Sequence, residues 1–303
     1  MKKVSIITVN YNQPKVTEDL LHSIVRHNKY AAIEIIVVDN ASKENPVPGW
    51  QQNYPSIQFI RSEKNLGFAG GNNLGINAAT GDYMFLVNND TEFTPNLIED
   101  LLAVFEEQPH VGIVCPKIRY YQQPDTIQYV GFTPMNYFTC QNKCIGQFEK
   151  DNGQYDNASG PTGFAHGAAM MISSNAIKKA GLMYENYFLY YEEGDWCDRV
   201  KKAGFTIWVN TKALIYHKES VSVGKKSALK EFYMNRNRIL FIRRNATKWQ
   251  QLFFYAYFLG IVTPRNLLVY LKEGNFSYSK QLFRAIWWNF SQPVNSTYLG
   301  FKN

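Results

Sequence analysis

Cysteine is scarce in these 303 residues: four in all, at 115, 140, 144 and 197, with no Cys-x-x-Cys pair and no matching Cys/His set. This excludes a disulfide framework, argues against zinc, and reads as reduced thiols. Glycine is missing from Thr8-Val9-Asn10-Tyr11-Asn12-Gln13-Pro14, where a dinucleotide fingerprint would have to lie, so the nicotinamide oxidoreductase class falls away. Val4 to Asn10, behind two lysines, is too short and too polar for a signal peptide, so residence in the cytosol is expected. Long apolar runs are absent too. The best, Leu252 to Val262, holds 11 residues before Thr263-Pro264-Arg265-Asn266 interrupts it, whereas a bilayer span needs about 20. Acidic residues nearly vanish from the end of the chain, where residues 224–303 hold 13 Lys/Arg against Glu231 and Glu273. The net charge of +7 therefore belongs to this tail, and a compositional boundary falls near residue 224.

What is present alternates in type. Val4 to Val9, Ile33 to Val38, Ile57 to Arg61, Tyr83 to Val87 and Val111 to Cys115 read as short buried strands. Between them lie helical patterns from Pro14, over Gly71 to Ala79, and from Pro95. Such alternation predicts an α/β fold with a mostly parallel central sheet flanked by helices. Periodicity fails from Arg119 to Gly160, an excursion of the kind that often serves as a lid or binding surface. Order resumes with a strand ending in Met170-Met171-Ile172, a helix near Asn175 to Gly181, another over Asp195 to Ala203, and strands at Thr206 to Val209 and Leu214 to Tyr216.

Polar groups gather where these elements end. Asn88-Asn89-Asp90 closes an apolar strand: alone it reads as an Asx turn or as ligands for a cation and its phosphates. Asp39 reads as a cap or turn former, or as an acceptor for a nucleobase imide or ribose hydroxyl. Asn65 to Gly75 is richer in glycine and asparagine than a helix entrance needs, which suits close approach of a phosphate. Glu192-Glu193 reads as a solvated acidic loop or as the site of a general base, and His217 as a satisfied strand-end histidine or as a metal ligand.

Together, VSIITVNYN (4–12), IVVDNAS (36–42), NLGFAGGNNLG (65–75), FLVNNDTE (85–92), GFAHGAAMMI (163–172), YYEEGDWCDR (190–199) and ALIYH (213–217) resemble, in order, the family 2 glycosyltransferases. These are inverting enzymes of GT-A fold. The resemblance implies that Asp39 reads the donor's base or ribose and that Asn88-Asn89-Asp90 stands where the family has its DxD metal motif, with asparagine replacing the first aspartate. Asp90, His217 and Asn88 would then hold Mn2+ or Mg2+, and Asn10, Asn12, Asp39, Gly71, Asn72, Asn89 and Asp90 would bind the nucleotide sugar. Glu193, with Glu192 in reserve, would be the catalytic base, and Asp195 a helix cap or a support. His166, Gly167 and Trp196 would lie at the junction of donor and acceptor. Spellings of this type occur in rhamnosyltransferases, which implies dTDP-rhamnose as first donor, with UDP-hexoses open. The acceptor would be a cell-surface polysaccharide or a lipid-linked glycan. A rival from another class is a catalytically silent sugar-nucleotide or glycan-binding module in an assembly complex.

The chain divides into a catalytic domain over 1–223 and a helical basic and aromatic region over 224–303. The tail's arginines suggest a nucleic-acid surface, but no such module is visible and no nucleic-acid partner is expected. Interfacial helices on the anionic inner face of a membrane fit its composition, as does a helical cap or homo-oligomer contact.

Overall fold

The computed structural model describes residues 1–218 and 227–301, so the expected boundary at 223/224 lies outside the described residues. The first half runs β1 (Val4–Asn10), α1 (Pro14–His27), β2 (Ile33–Asp39), α2 (Val47–Asn53), β3 (Gln58–Arg61), α3 (Gly67–Ala78), β4 (Tyr83–Val87), β5 (Thr91–Phe93), α4 (Leu97–Glu107) and β6 (Val111–Tyr120). It continues through β7 (Ile127–Tyr129), β8 (Gly160–Pro161), β9 (Ala169–Ser173), α5 (Ser174–Ala180), α6 (Glu192–Lys202) and β10 (Thr206–His217). Four helices follow: α7 (Ala228–Asn245), α8 (Lys248–Tyr257), α9 (Thr263–Lys272) and α10 (Phe276–Ser291).

The sheet order is β3-β2-β1-β4-β9-β6-β10-β5. β1 to β4 are mutually parallel, β9 is inserted antiparallel between β4 and β6, and β6 is again parallel to β10. The strands read as near-continuous Val/Ile runs because helices cover the sheet; α3 lies on β1 and β2, and α4 on β6 and β10. Two glycines let α3 lie that close. A Cβ on Gly75 would sit 2.3 Å from Ile7 Cγ2, and one on Gly71 would sit 2.8 Å from Val9 Cγ1. Because β2 and β4 flank β1 on opposite sides, the chain reverses direction across the sheet there. A crevice therefore forms beyond the carboxyl ends of β1 and β4, where open α/β sheets bind ligands.

Several boundaries move. α3 starts at Gly67 rather than Gly71, and α6 at Glu192 rather than Asp195, which puts both candidate bases on a helical first turn. The two short strands expected after residue 206 are one strand, β10, with an irregularity between Asn210 and Leu214. α2 and β5 were not anticipated, and the irregular 119–160 stretch contains β7.

The tail is helical as expected, but its composition boundary is not a packing boundary. Ile239, Leu240, Phe241, Phe254, Phe258 and Val262 belong to the same buried cluster as the β1 and β4 side chains. Thr263-Pro264 does not break the helix. Phe258–Val262 forms a π turn that joins α8 to α9, so Lys248–Lys272 is one helical run of 25 residues, long and apolar enough by composition to cross a membrane. Pro264 falls inside this run, directly after the π turn, an irregularity of the kind that accommodates a helical proline.

Candidate active site

The crevice is a cleft of about 550 Å³ whose lining includes Val9, Tyr11, Asn40, Asn65, Phe68, Asn72, Asn88, Asn89, Asp90, Tyr190 and His217. Asn88–Thr91 is a turn, closed by Thr91 N donating to the Asn88 carbonyl at 3.2 Å. The turn feeds β5, which pairs with the end of β10 in the register His217↔Thr91. Pairing brings two residues far apart in sequence side by side: His217 Nε2 lies 3.1 Å from Asp90 Oδ1.

The hydrogen bonding around this pair decides what it can hold. His217 Nδ1 is 2.8 Å from Gln128 Oε1, an amide oxygen that accepts from Nδ1 and so makes Nε2 the nitrogen available to a cation. Asp90 Oδ1 is buried and accepts no hydrogen bond. Two lone-pair donors thus face one point, an arrangement a divalent cation satisfies. Among the described residues no third His, Cys, Asp or Glu joins them, so an amide such as Asn88 and the oxygens of a diphosphate would complete the set. The residues fit a metal held jointly with its ligand.

Glu193 is not in the cleft lining but lies close behind Phe68, which is. A Cβ on Gly167 would be 3.7 Å from Glu193 Oε1 and 3.8 Å from Phe68 Cζ, and the neighbouring Ala168 carbonyl accepts from Asn88 N at 2.9 Å. Glu193 Oε2 is buried without a hydrogen-bond partner. Burial raises the Glu193 pKa above the usual glutamate range, partly offset by the amides of Glu193 and Gly194 in the first turn of α6. Glu192 is 3% exposed; burial, then the charge of Glu193, pushes its pKa well up, while Arg236 opposes the rise. His166 is held neutral, with burial and then His217 bringing its pKa down to about 3. Its ring stacks parallel to Phe132 and meets His217 edge-on at 6.3 Å.

Some expected ligands prove to be scaffold. Asp39 is 0% exposed: Asn10 Nδ2 donates to Oδ1 at 2.8 Å, and Arg61 Nη1 and Ser42 N donate to Oδ2. Its carboxylate braces the loop beneath the cleft instead of facing a base. Asn10 also accepts from Thr17 Oγ1, and Asn12, at φ 57°, spends its side chain on Lys43 N. Gly71 serves the packing of α3 on Val9. The first amides of the α3 entrance are already used, since Leu66, Gly67 and Phe68 donate to Asn40, Asn65 and the Phe188 carbonyl. Trp196 is 0% exposed and donates to the Gly181 carbonyl, so it packs in the core and away from any sugar. Asp195 supports without capping, accepting from Tyr187, Arg199, Arg244 and Asn245. Asn72 and Asn89 do line the cleft, as expected.

Sequence reasoning missed Gln128, Tyr11, Asn40 and Asn65. Gln128 sits in a stretch without periodicity and carried no signal; the other three stood inside motifs that had been read through their acidic or glycine members.

The profile of glycosyl transferase family 2 matches residues 5–179, and the chain belongs to that family. It is therefore a glycosyltransferase that takes its sugar from a nucleotide sugar. It is 28% identical over 246 residues to the low-salt glycan biosynthesis hexosyltransferase Agl10 of Haloferax volcanii, covering 78% of this chain and 74% of that one. It is 22% identical over 265 residues to the N-acetylglucosaminyl-diphospho-decaprenol L-rhamnosyltransferase of Mycobacterium tuberculosis, covering 80% and 85%. Among solved structures, the mannosyltransferase PcManGT of Pyrobaculum calidifontis, in complex with GDP-Man and Mn2+, superposes with a TM-score of 0.58 at 12% identity over 96% of this chain and 87% of that one. The fold is GT-A.

Proposed function

We propose that this glycosyltransferase inverts the sugar by single displacement, with Glu193 as base and Asp90 and His217 as holders of the donor's cation. The observation that carries the reading is the His217–Asp90 pair in the cleft with the Glu193 carboxylate close behind Phe68 of its lining. The Glu193 carboxylate takes the proton of the acceptor hydroxyl as the hydroxyl oxygen attacks the anomeric carbon and the diphosphate departs. Asn88 and Asn89 orient the diphosphate, and the apolar floor of Val9 and Val87 excludes water beneath it. A bound Mn2+ or Mg2+ supplies positive charge to the departing diphosphate. Glu193 is preferred to Glu192 because its Oε1 lies against Gly167, beside Phe68 of the cleft.

The rhamnosyltransferase relative favours dTDP-rhamnose as donor, with UDP-hexoses next, and a lipid-linked glycan of cell-surface assembly as acceptor. A peripheral seat on the inner face of the membrane suits such an acceptor, and the tail offers one. Phe254, Phe258, Val262 and Tyr270 recur at four-residue multiples and anchor one face of the α8–α9 run in the core, so this helix lies along the protein and does not leave it. Trp249, Phe253, Ile261 and Leu268 point outward, and Phe276, Phe283, Trp287 and Phe290 form an exposed stripe on α10, with lysines 248, 272 and 280 beside them. A homo-oligomer contact is the alternative use of that face.

The test is hydrolysis of dTDP-rhamnose and UDP-hexoses with and without Mn2+. Turnover by wild type that is lost in Glu193→Gln and in Asp90→Ala supports the enzyme; equal rates in all three would sink this reading.

A further inference from the structure

We propose that Arg236 and Asn237 of α7 are positioning residues for Glu193, clamping the backbone of residues 186–190 that delivers it to the cleft. The inference deepens the proposed mechanism and rests on Glu193 being the base. Phe188, Tyr190 and Tyr191 have φ of 66°, 71° and 73°, a left-handed region that side chains other than glycine disfavour, so this segment needs outside restraint. Such a path forms no ladder, and its carbonyls must find partners elsewhere. They find them on α7. Asn237 Nδ2 lies 2.9, 2.7 and 2.8 Å from the carbonyls of Tyr187, Leu189 and Tyr190. Arg236 Nη2 donates to the carbonyls of Asn186 and Tyr187. The remaining carbonyl, that of Phe188, accepts from Phe68 N at 2.7 Å, an approach open only because residue 67 is glycine: a Cβ there would be 2.1 Å from that oxygen.

Each carbonyl from 186 to 190 is thereby engaged, and the next residues begin α6 with Glu192 and Glu193. The clamp is itself fixed. Arg236 Nε donates to Asn237 Oδ1 at 2.7 Å, which turns the amide so that its NH2 faces the loop. Both side chains are 0% exposed, and the guanidinium is sandwiched between Tyr233 and Trp288 at 4.9 and 4.7 Å. Lysine lacks the planar fork for this set of acceptors.

The experiment compares steady-state turnover of a nucleotide sugar that wild type hydrolyses, in Asn237→Ala, Arg236→Lys, Arg243→Ala and Glu193→Gln, with rates taken per folded molecule. Asn237→Ala should lower kcat about 100-fold, the scale of a misplacement near 1 Å. Because Tyr190 of the clamped loop also lines the cleft, donor KM should rise, but by far less than kcat falls. Arg236→Lys should fall between. Arg243, on the same helix but bound to Asn289 and Gln292, controls for the docking of α7, and its variant should keep kcat. A fall in Asn237→Ala matched by Arg243→Ala, or a kcat close to wild type, overturns the clamp. If the alanine variant does not fold, Asn237→Ser, with one donor left, carries the same expectation, and full kcat there overturns it equally. Glu193→Gln as fast as wild type would instead remove the base assignment and the clamp with it.

Discussion

Gln128 and His217 are bound 2.8 Å apart, amide oxygen to Nδ1, and this contact directs the other imidazole nitrogen at Asp90. Removing the amide in Gln128→Leu frees the tautomer and the ring, so Mn2+ binding in the presence of dTDP or UDP should weaken about 10- to 100-fold by calorimetry. Asn88→Asp should act in the opposite sense by restoring a second carboxylate. No gain in that variant would mean that residue 88 does not reach the cation.

Glu193 should cost about 10²- to 10⁴-fold in kcat when replaced by glutamine, with donor affinity preserved. Its pH dependence follows from burial. A base works only when deprotonated, and this one is held protonated above the ordinary glutamate value of 4.5. The acid limb of the kcat/KM profile should therefore lie above pH 4.5, falling about tenfold per unit below its midpoint. For stability the same rise means that the folded state binds the proton more tightly. That contribution is present below pH 4.5 and is lost as pH climbs through the folded value.

Glu34 behaves in reverse. Burial opposes its ionisation, but hydrogen bonds from Lys3, Ser5 and Thr80 outweigh that and bring its pKa down to about 2. Its contribution is present above pH 4.5 and fades as pH falls through about 2. Glu34→Gln should destabilise the protein by about 2 kcal/mol at pH 7 in urea titrations, and the gap should narrow as the solution is acidified below pH 4.5.

Gly75→Ala should cost about 1–3 kcal/mol through overpacking. The new methyl meets Ile7, itself 0% exposed, at 2.3 Å, and Ile7 has nowhere to turn. Thermal unfolding reads the loss directly.

Replacing Phe283 and Trp287 with glutamate should abolish flotation on vesicles containing phosphatidylserine and leave donor hydrolysis unchanged. Unchanged flotation would leave the exposed α10 stripe to a second copy of the chain, which sizing chromatography would then detect.

Much of this was legible in the sequence because it rests on local pattern. Short apolar runs announced β1, β2 and β4, and the polar clusters at their ends pointed to the cleft. What stayed hidden depends on which way a side chain turns. Asp39 and Asp90 both follow apolar strands, yet Asp39 turns into a nest of Asn10, Ser42 and Arg61 while Asp90 turns to His217. The register that pairs β5 with β10 is nonlocal, so the Asp90–His217 contact was reached through resemblance and not through spacing. The tail misled for a similar reason: Arg236 looked like surface charge, but aromatic faces and carbonyls bury it completely.

The dependence of the 186–190 loop on α7 also sets a timetable. On the ribosome Asp90, Glu193 and His217 emerge before residue 237, so a nascent chain carries these three with that loop still unrestrained. Activity should switch on late in synthesis, when α7 docks against α6.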